Sequence, residues 1–335
     1  MEKPLVSILI PFKNTEDYLP DCLRSILGQT YQHWEVWAVD DSSSDASWEI
    51  VSQYALNDSR INVIKNSGQG IINALRKAYE HCQGDLITRM DSDDIMVPEK
   101  ISTMVNLLLR HGEKHVAIGK VKYFSDRGIS NGYERYENWL NLLIEKGTNY
   151  SEIYKECVIP SPCWMVFKND MDRCGAFESD RYPEDYDLTF RFYENKLKCI
   201  PCNKTLHFWR DYDTRTSRTS EHYAANYFLE IKLHYYLKLE YEPSRPLVIW
   251  GAGNKGKIIA RNLVERKQDF IWICDNPNKI GKNIYGKKLH HFGILNEIAN
   301  PQNIITVANE KEQIAIKKFF DGIKKLPMED YFFFC

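Results

Sequence analysis

No stretch of this chain approaches the ~18–20 consecutive apolar residues that cross a bilayer, so no transmembrane span is expected. A strand-like run begins as early as Leu5, which leaves no room for a secretory leader before it. Charge of neither sign is in surplus: 44 Lys and Arg face 46 Asp and Glu, for a formal net charge of −2. That balance argues against a general nucleic-acid surface, which needs a basic excess. The nine cysteines are odd in number and scattered without a framework spacing. Reduced thiols in a cytoplasmic protein fit them better than disulfides. Cys199-x-x-Cys202 near His207 lacks the second cysteine pair of a zinc site, and no zinc is expected there.

A length of 335 residues is comfortable for two domains. The 43% hydrophobic and 27% charged content is that of an ordinary globular protein. Apolar runs and helical spacings alternate strictly over the first third. Leu5–Ile10 is a strand stopped by Pro11, and Leu19, Cys22, Leu23, Ile26 and Leu27 follow at helical spacing. Trp34–Val39 ends in Asp40-Asp41, Ile61–Ile64 leads to the Gly68–Gly70 turn, and Leu86–Thr88 leads to Arg89 and Asp91. This alternation predicts an α/β fold with a parallel, doubly wound sheet. Ligands of such sheets bind beyond the carboxyl ends of the strands, so Pro11 with Asn14, Asp40 with Asp41, and Asp91 with Asp93 should converge on one crevice.

The segment Arg89-Met90-Asp91-Ser92-Asp93-Asp94 carries three carboxylates within four residues. Packing acids so densely where a buried strand ends is costly unless a cation shares the charge. Mg²⁺ or a similar hard ion, bound by one or two carboxylates and substrate phosphates, meets that need. The plainer reading is an acidic loop or helix cap. Further on, Glu184-Asp185 opens a helical pattern, where acids are also favoured by the helix dipole.

Taken in order, these pieces resemble the inverting GT-A glycosyltransferases of family 2. The resemblance rests on Val6–Pro11 with Asn14, Val39–Ser43, Ala74-Leu75 through Gly84-Asp85, Arg89–Asp94, and Gly175–Phe177 followed by Glu184-Asp185. It runs from about Leu5 to Ser220. It implies a GT-A domain, Rossmann-like with a mostly parallel sheet, and a nucleotide-sugar donor, most often a UDP-sugar. Asp40 or Asp41 would then face the base or ribose near Pro11 and Asn14. Asp93 would hold Mg²⁺ or Mn²⁺ on the diphosphate, with Asp91 nearer the ribose and donor sugar. Asp185, beside Glu184, would take the proton of the acceptor hydroxyl. Trp164 lies where the family shapes the acceptor side and suits either a sugar face or the core. Arg89 suits the base or diphosphate, or a nearby aspartate. Many relatives carry Trp/Tyr-Arg-x-His before a serine; here Trp209-Arg210-Asp211-Tyr212 puts tyrosine in the histidine's place. A neutral nitrogen ligand is thereby lost, while Arg210 and Arg218 remain to meet phosphate charge.

The domain limits expected are 1–220 for the transferase, 221–244 for a helical linker, and 245–335 for a second, small Rossmann-like α/β domain. Pro243-Ser244-Arg245-Pro246 marks the boundary. Leu247–Trp250 then runs into Gly251-Ala252-Gly253-Asn254-Lys255-Gly256, a helical pattern, and a strand ending at Asp275. Gly251, Gly253, Gly256 and Asp275 meet the context of a nucleotide-binding turn. An inherited fold used for packing or for oligomer contacts explains them equally.

The function expected is metal-dependent transfer of a sugar to an oligosaccharide or lipid-linked glycan acceptor in surface polysaccharide assembly. The place expected is the cytoplasm, with peripheral contact at the inner membrane face an option for Lys317-Lys318 and Lys324-Lys325. An NAD-dependent oxidoreductase built on Gly251–Gly256 is a second reading, and it leaves Asp91 and Asp185 unexplained. A non-catalytic nucleotide-sugar sensor is a third. An aspartyl phosphotransfer centre at Asp91 fails the usual pattern at Ile95.

Overall fold

A computed structural model describes residues 3–215, 218 and 228–335, and the chain divides into two units. One comprises Met1–Tyr150 with Val158–Arg215, the other Ser151–Cys157 with Thr216–Cys335.

In the first unit, β1 (Val6–Phe12), β2 (Trp34–Asp40), β3 (Ile61–Lys65) and β4 (Leu86–Arg89) pair in parallel. They form one edge of a seven-stranded sheet that continues with β8 (Trp164–Phe167), β6 (His115–Ile118) and β9 (Lys198–Ile200), in the order β3-β2-β1-β4-β8-β6-β9. Val6, Ile8, Leu9, Ile10, Leu86 and Ile87 are fully buried, as expected of strands covered on both faces by helices. The sheet is not wholly parallel, because β8 runs antiparallel to both β4 and β6. The chain enters β8 from the loop Pro160–Cys163.

A small second sheet orders β5 (Ile95–Met96), β10 (Thr205–Arg210) and β7 (Lys120–Phe124). It ties the segment after the acid cluster to β10, with His207 opposite Met96 and Phe208 opposite Ile95. Gly119, between β6 and β7, lets β10 come close: a Cβ there would lie 2.5 Å from Leu206 Cδ1. The region read from sequence as a polar loop with a short helix around Trp139–Leu143 is one long helix, Asn131–Lys146. Its buried stripe is Glu137, Leu140, Leu143 and Ile144. Glu137 is held there by accepting the Tyr123 backbone N–H at 2.6 Å, and a charge on the core face hides the helical period.

The second unit holds a six-stranded sheet, β13 (Asn283–Ile284), β14 (Lys287–His291), β12 (Ile271–Cys274), β11 (Leu247–Trp250), β15 (Gln302–Ile305) and β16 (Tyr331–Phe333), in that order. Only the β13–β14 pairing is antiparallel among the described strands. Successive strands leave β11 first to one side and then to the other, so the Gly251 turn sits at the switch point of the sheet. The helix Phe228–Leu239, placed by sequence within a linker, is part of this unit, with Leu229, Ile231, Leu233, Tyr235 and Tyr236 buried. Residues 216, 217 and 219–227, where sequence expects its beginning, lie outside those described. Ser151–Cys157 also belongs here: Tyr154 stacks on Phe334 at 5.5 Å. No helix among the described residues is long and apolar enough to cross a membrane.

Candidate active site

The four parallel strands end in loops that are stitched to one another. Asn14, held at φ +50, accepts the Ser44 backbone N–H at 2.8 Å, and its own N–H donates to Ser43 Oγ. That joins the β1 and β2 loops. Asp40 accepts the Ser43 N–H at 2.9 Å. Asp41 accepts from Asn66 Nδ2 at 2.7 Å and from the Gly70 N–H at 2.9 Å, joining the β2 loop to the glycine turn after β3. Thr15 Oγ1 donates to Ser92 Oγ at 3.1 Å and brings in the acid loop. Pro11 is near the end of β1, facing Val39 across the ladder. Pro11, Asn14, Asp40, Asp41 and Asp91–Asp94 therefore share one rim of the sheet, at the carboxyl ends of the strands.

The three acids after β4 have different surroundings. Asp91 is half-buried and takes both Nε (2.9 Å) and Nη2 (2.8 Å) of Arg89 on its Oδ1. Asp93 accepts the Tyr212 hydroxyl on Oδ2 at 2.9 Å. Burial, then the neighbouring Asp94, push its carboxyl up to about 7. Asp94 is fully buried and accepts from the Arg210 backbone N–H at 2.8 Å, with His207 on its other oxygen. Tyr212, in the place where the resemblance leads one to expect histidine, thus reaches Asp93 as a hydroxyl donor.

Glu184 and Asp185 start the helix Glu184–Glu194. Arg89 Nη1 donates to Glu184 Oε1 at 2.9 Å, so one buried guanidinium, 6% exposed, spans the acid loop and the helix start. Sequence leaves Arg89 between a donor role and an aspartate partner, and its contacts are with carboxylates. Asp185 Oδ1 accepts its neighbour's N–H, from Tyr186 at 2.8 Å, and burial beside Glu184 raises the carboxyl to about 7.

Two residues that sequence leaves open are placed by their contacts. Trp164 is 3% exposed and packs edge-to-face on Phe192 at 5.8 Å, in a strand paired on both sides, so it offers no face to a sugar. Arg210 does not await a phosphate: Nε donates to the Asp93 carbonyl at 2.8 Å and Nη2 to Asp21 at 3.0 Å, while the guanidinium lies against Tyr18 and Phe124. It pins the acid loop from outside. A third residue, Arg215, escapes sequence reasoning altogether. Its guanidinium sits 5.2 Å from the Trp209 ring, and Asp94 and Asp93 offset its burial and keep it firmly charged. Its loop position carries no local signal of that approach.

A metal fits this rim by donor chemistry. Asp93 and Asp91 are hard oxygen donors, and a divalent ion of the Mg²⁺ or Mn²⁺ type completes its shell with phosphates and water. Among the described residues no group of three His, Cys, Asp or Glu side chains is disposed to hold a metal without such help.

The family model for glycosyl transferase family 2 matches residues 7–175, just over half of the chain. The chain belongs to this family. The putative teichuronic acid biosynthesis glycosyltransferase TuaG of Bacillus subtilis is 38% identical over 110 residues, covering 32% of this chain and 43% of that protein. The chain therefore spans less than half the length of this relative. S. aureus TarS, solved in complex with UDP-GlcNAc, matches with a TM-score of 0.54 at 18% identity, over 77% of this chain and 71% of TarS. The mannosyltransferase PcManGT of Pyrobaculum calidifontis, in complex with GDP-Man and Mn²⁺, gives a TM-score of 0.51 at 17% identity over 71% of this chain and 64% of that one. Both likenesses establish the GT-A fold.

The family match ends before the six-stranded sheet of the second unit, whose glycines have a packing explanation. Gly251 is at φ +126, and a Cβ on Gly256 would lie 2.1 Å from the Gly251 carbonyl oxygen. That oxygen also accepts Trp272 Nε1–H at 2.8 Å. Gly253 faces open space, and Asp275 is exposed after β12. Lys279 Nζ donates to the Ala252 carbonyl across the turn.

Proposed function

We propose that this family 2 chain transfers a sugar from a nucleotide-sugar, a UDP-sugar in the first instance, to a hydroxyl of a glycan or lipid-linked acceptor in surface polysaccharide assembly. The observation that carries the reading is the meeting of the acid loop with Glu184-Asp185, 95 positions on from Arg89, through that one arginine. It sets a candidate base beside candidate diphosphate ligands, which inverting displacement requires. TarS with UDP-GlcNAc and PcManGT with GDP-Man and Mn²⁺ support a nucleotide-sugar and a divalent ion for this fold.

Asp93, with Asp91, would hold the metal, which when bound offsets the charge that builds on a leaving diphosphate. Asp40 and Asp41, anchored in the stitched loops, would present the base and ribose with their positions. Asp185 would accept the acceptor's proton as its oxygen attacks the anomeric carbon from the face opposite the leaving group. Burial keeps this carboxyl basic enough to act near neutral pH. Association with the inner membrane face and oligomer formation through the second unit remain parts of the same proposal.

A thermal-shift series tests it, with UDP, GDP, CMP, their sugars and NAD(H), each with and without Mn²⁺. Saturation at a hundredfold over Kd stabilises a protein by about 2.7 kcal/mol, well within reach of the method. A Mn²⁺-dependent shift by one nucleotide diphosphate, absent in Asp93→Ala, is expected. A shift by NAD(H) alone, kept in Asp93→Ala and lost on changing Gly253, would move the function to the second unit.

A further inference from the structure

We infer that Arg89 is a positioning residue that locks the first turn of the helix Glu184–Glu194 onto the acid loop, and that Glu184 is its anchor, leaving Asp185 as the single proton acceptor of the pair. The inference deepens the proposed transfer and rests on that reading for the role of Asp185.

The geometry of one side chain carries it. A guanidinium is planar, with donors on two edges. One edge, Nε and Nη2, closes on Asp91 Oδ1; Nη1 closes on Glu184 Oε1. The three partners are largely withdrawn from water, at 6% exposure for Arg89, 19% for Asp91 and 10% for Glu184. Three of the five N–H groups of Arg89 are thereby committed to carboxylates of the acid loop and the helix start. Glu184, committed to Arg89, is unsuited to move between acid and base states during turnover. Among the described residues the Asp185 carboxylate accepts the N–H of Tyr186, and Asp185 is the more accessible of the two. The helix to which both belong is tied further along by Arg191, whose Nη1 donates to the Ala176 carbonyl at 2.7 Å. Arg89 therefore sets where the base stands relative to the donor ligands. A lysine keeps the charge but has one compact ammonium, which cannot hold two carboxylates in a fixed plane.

The test compares wild type with Arg89→Lys, Glu184→Gln and the double variant. Three quantities are read: UDP affinity with Mn²⁺ by calorimetry, amide hydrogen exchange over residues 182–190, and UDP release from UDP-GlcNAc split into kcat and KM. Both single variants are expected to bind UDP within about twofold of wild type, to exchange at least tenfold faster at the helix start, and to lose tenfold or more in kcat at unchanged KM. The double variant should be no worse than the poorer single, because Arg89→Lys already breaks the bridge that Glu184→Gln removes. A tenfold loss of UDP affinity in Arg89→Lys with unchanged exchange would overturn the inference and make Arg89 a donor contact. Additive losses in the double variant would overturn it as well. If wild type binds no UDP, the donor reading falls and the exchange arm still decides the bridge. If Asp185→Asn turns over normally, the base assignment falls whatever the Arg89 variants do.

Discussion

His207 Nε2 lies 2.9 Å from Asp94 Oδ2, and neither side chain is exposed to solvent. On the other face of the ring, Lys100 Nζ is 3.2 Å from Nδ1 and also donates to the Pro162 carbonyl. An ammonium only donates, so Nδ1 accepts and Nε2–H points at Asp94. Burial, then Lys100, hold the imidazole well below its usual pKa, in its neutral form. The third acid of the cluster is thus a foundation for the loop and not a ligand for anything outside it.

This relationship predicts the cost of breaking it. His207→Phe leaves a buried carboxylate and a buried ammonium each short of a partner, and should destabilise the first unit by about 3–5 kcal/mol. His207→Gln offers one donor and one acceptor at similar reach and should cost about 1–2 kcal/mol. Urea unfolding followed by fluorescence distinguishes them. Equal losses would mean that ring volume, not the paired polar atoms, matters at this position.

Tyr212 stands on Asp93 in the place where the family resemblance leads one to expect histidine. Tyr212→Phe removes one hydrogen bond to the carboxylate, worth about 1 kcal/mol, and should alter Mn²⁺ affinity in the presence of UDP by no more than severalfold. Tyr212→His restores a neutral nitrogen beside Asp93 and should tighten Mn²⁺ binding about tenfold, the lower end of what a supporting ligand contributes. Mn²⁺ titration by electron paramagnetic resonance reads both. Weaker binding in the histidine variant would show that this loop does not deliver a ligand to the acid.

Much of the site is legible in sequence, and the parts that are not share a cause. The strands β1 to β4 and their shared rim follow from local apolar pattern, although β1 does not stop at Pro11 but pairs on through Phe12. Trp164 stays open in sequence because a strand-starting tryptophan looks the same locally in a core or under a sugar; only Phe192 and two flanking strands decide. Arg89, Arg210 and Arg215 each owe their roles to partners far along the chain, which no local spacing encodes. The helix Asn131–Lys146 escapes a reading by periodicity because Glu137 interrupts its apolar stripe.

The raised acids make stability depend on pH with a definite sign. Asp93 is pushed up to about 7 by burial and Asp94, above its ordinary value of 3.8. Between those two values the folded protein holds a proton that the unfolded chain has released, so stability falls as pH rises through the window. Asp93→Asn removes that dependence. Without metal it should be more stable than wild type at pH 8 by on the order of 1–2 kcal/mol, a figure reduced for partial exposure, and nearly equal at pH 5. Chemical denaturation at the two pH values in the presence of a chelator measures it. A variant less stable than wild type at pH 8 would reverse the sign argued here.

Asp185 carries a matching expectation for turnover. Burial and Glu184 lift its carboxyl to about 7, and a base works only when ionised. The rate under kcat/KM conditions should climb with pH and level off above about 7. Asp185→Asn should lose about 10²–10⁴-fold in kcat with UDP affinity retained, the usual worth of a positioned base. Loss of UDP binding together with turnover would place Asp185 in the donor site instead.

The glycine turn of the second unit separates packing from binding. A methyl group on Gly256 meets the Gly251 carbonyl oxygen at 2.1 Å and Thr306 Oγ1 at 2.8 Å, both inside contact distance. Neither can retreat cheaply, because Trp272 holds that carbonyl and Thr306 Oγ1 donates to the Trp250 carbonyl. Gly256→Ala should therefore cost about 1–3 kcal/mol, the range for overpacking a tight core. A methyl group on Gly253 would meet nothing within 4 Å, and Gly253→Ala should leave the melting temperature within a degree or so of wild type. If it does, any loss of ligand-induced stabilisation in Gly253→Ala reports on binding at the turn and not on folding. A large melting shift in Gly253→Ala would mean that the turn is covered, and that its glycines serve the fold throughout.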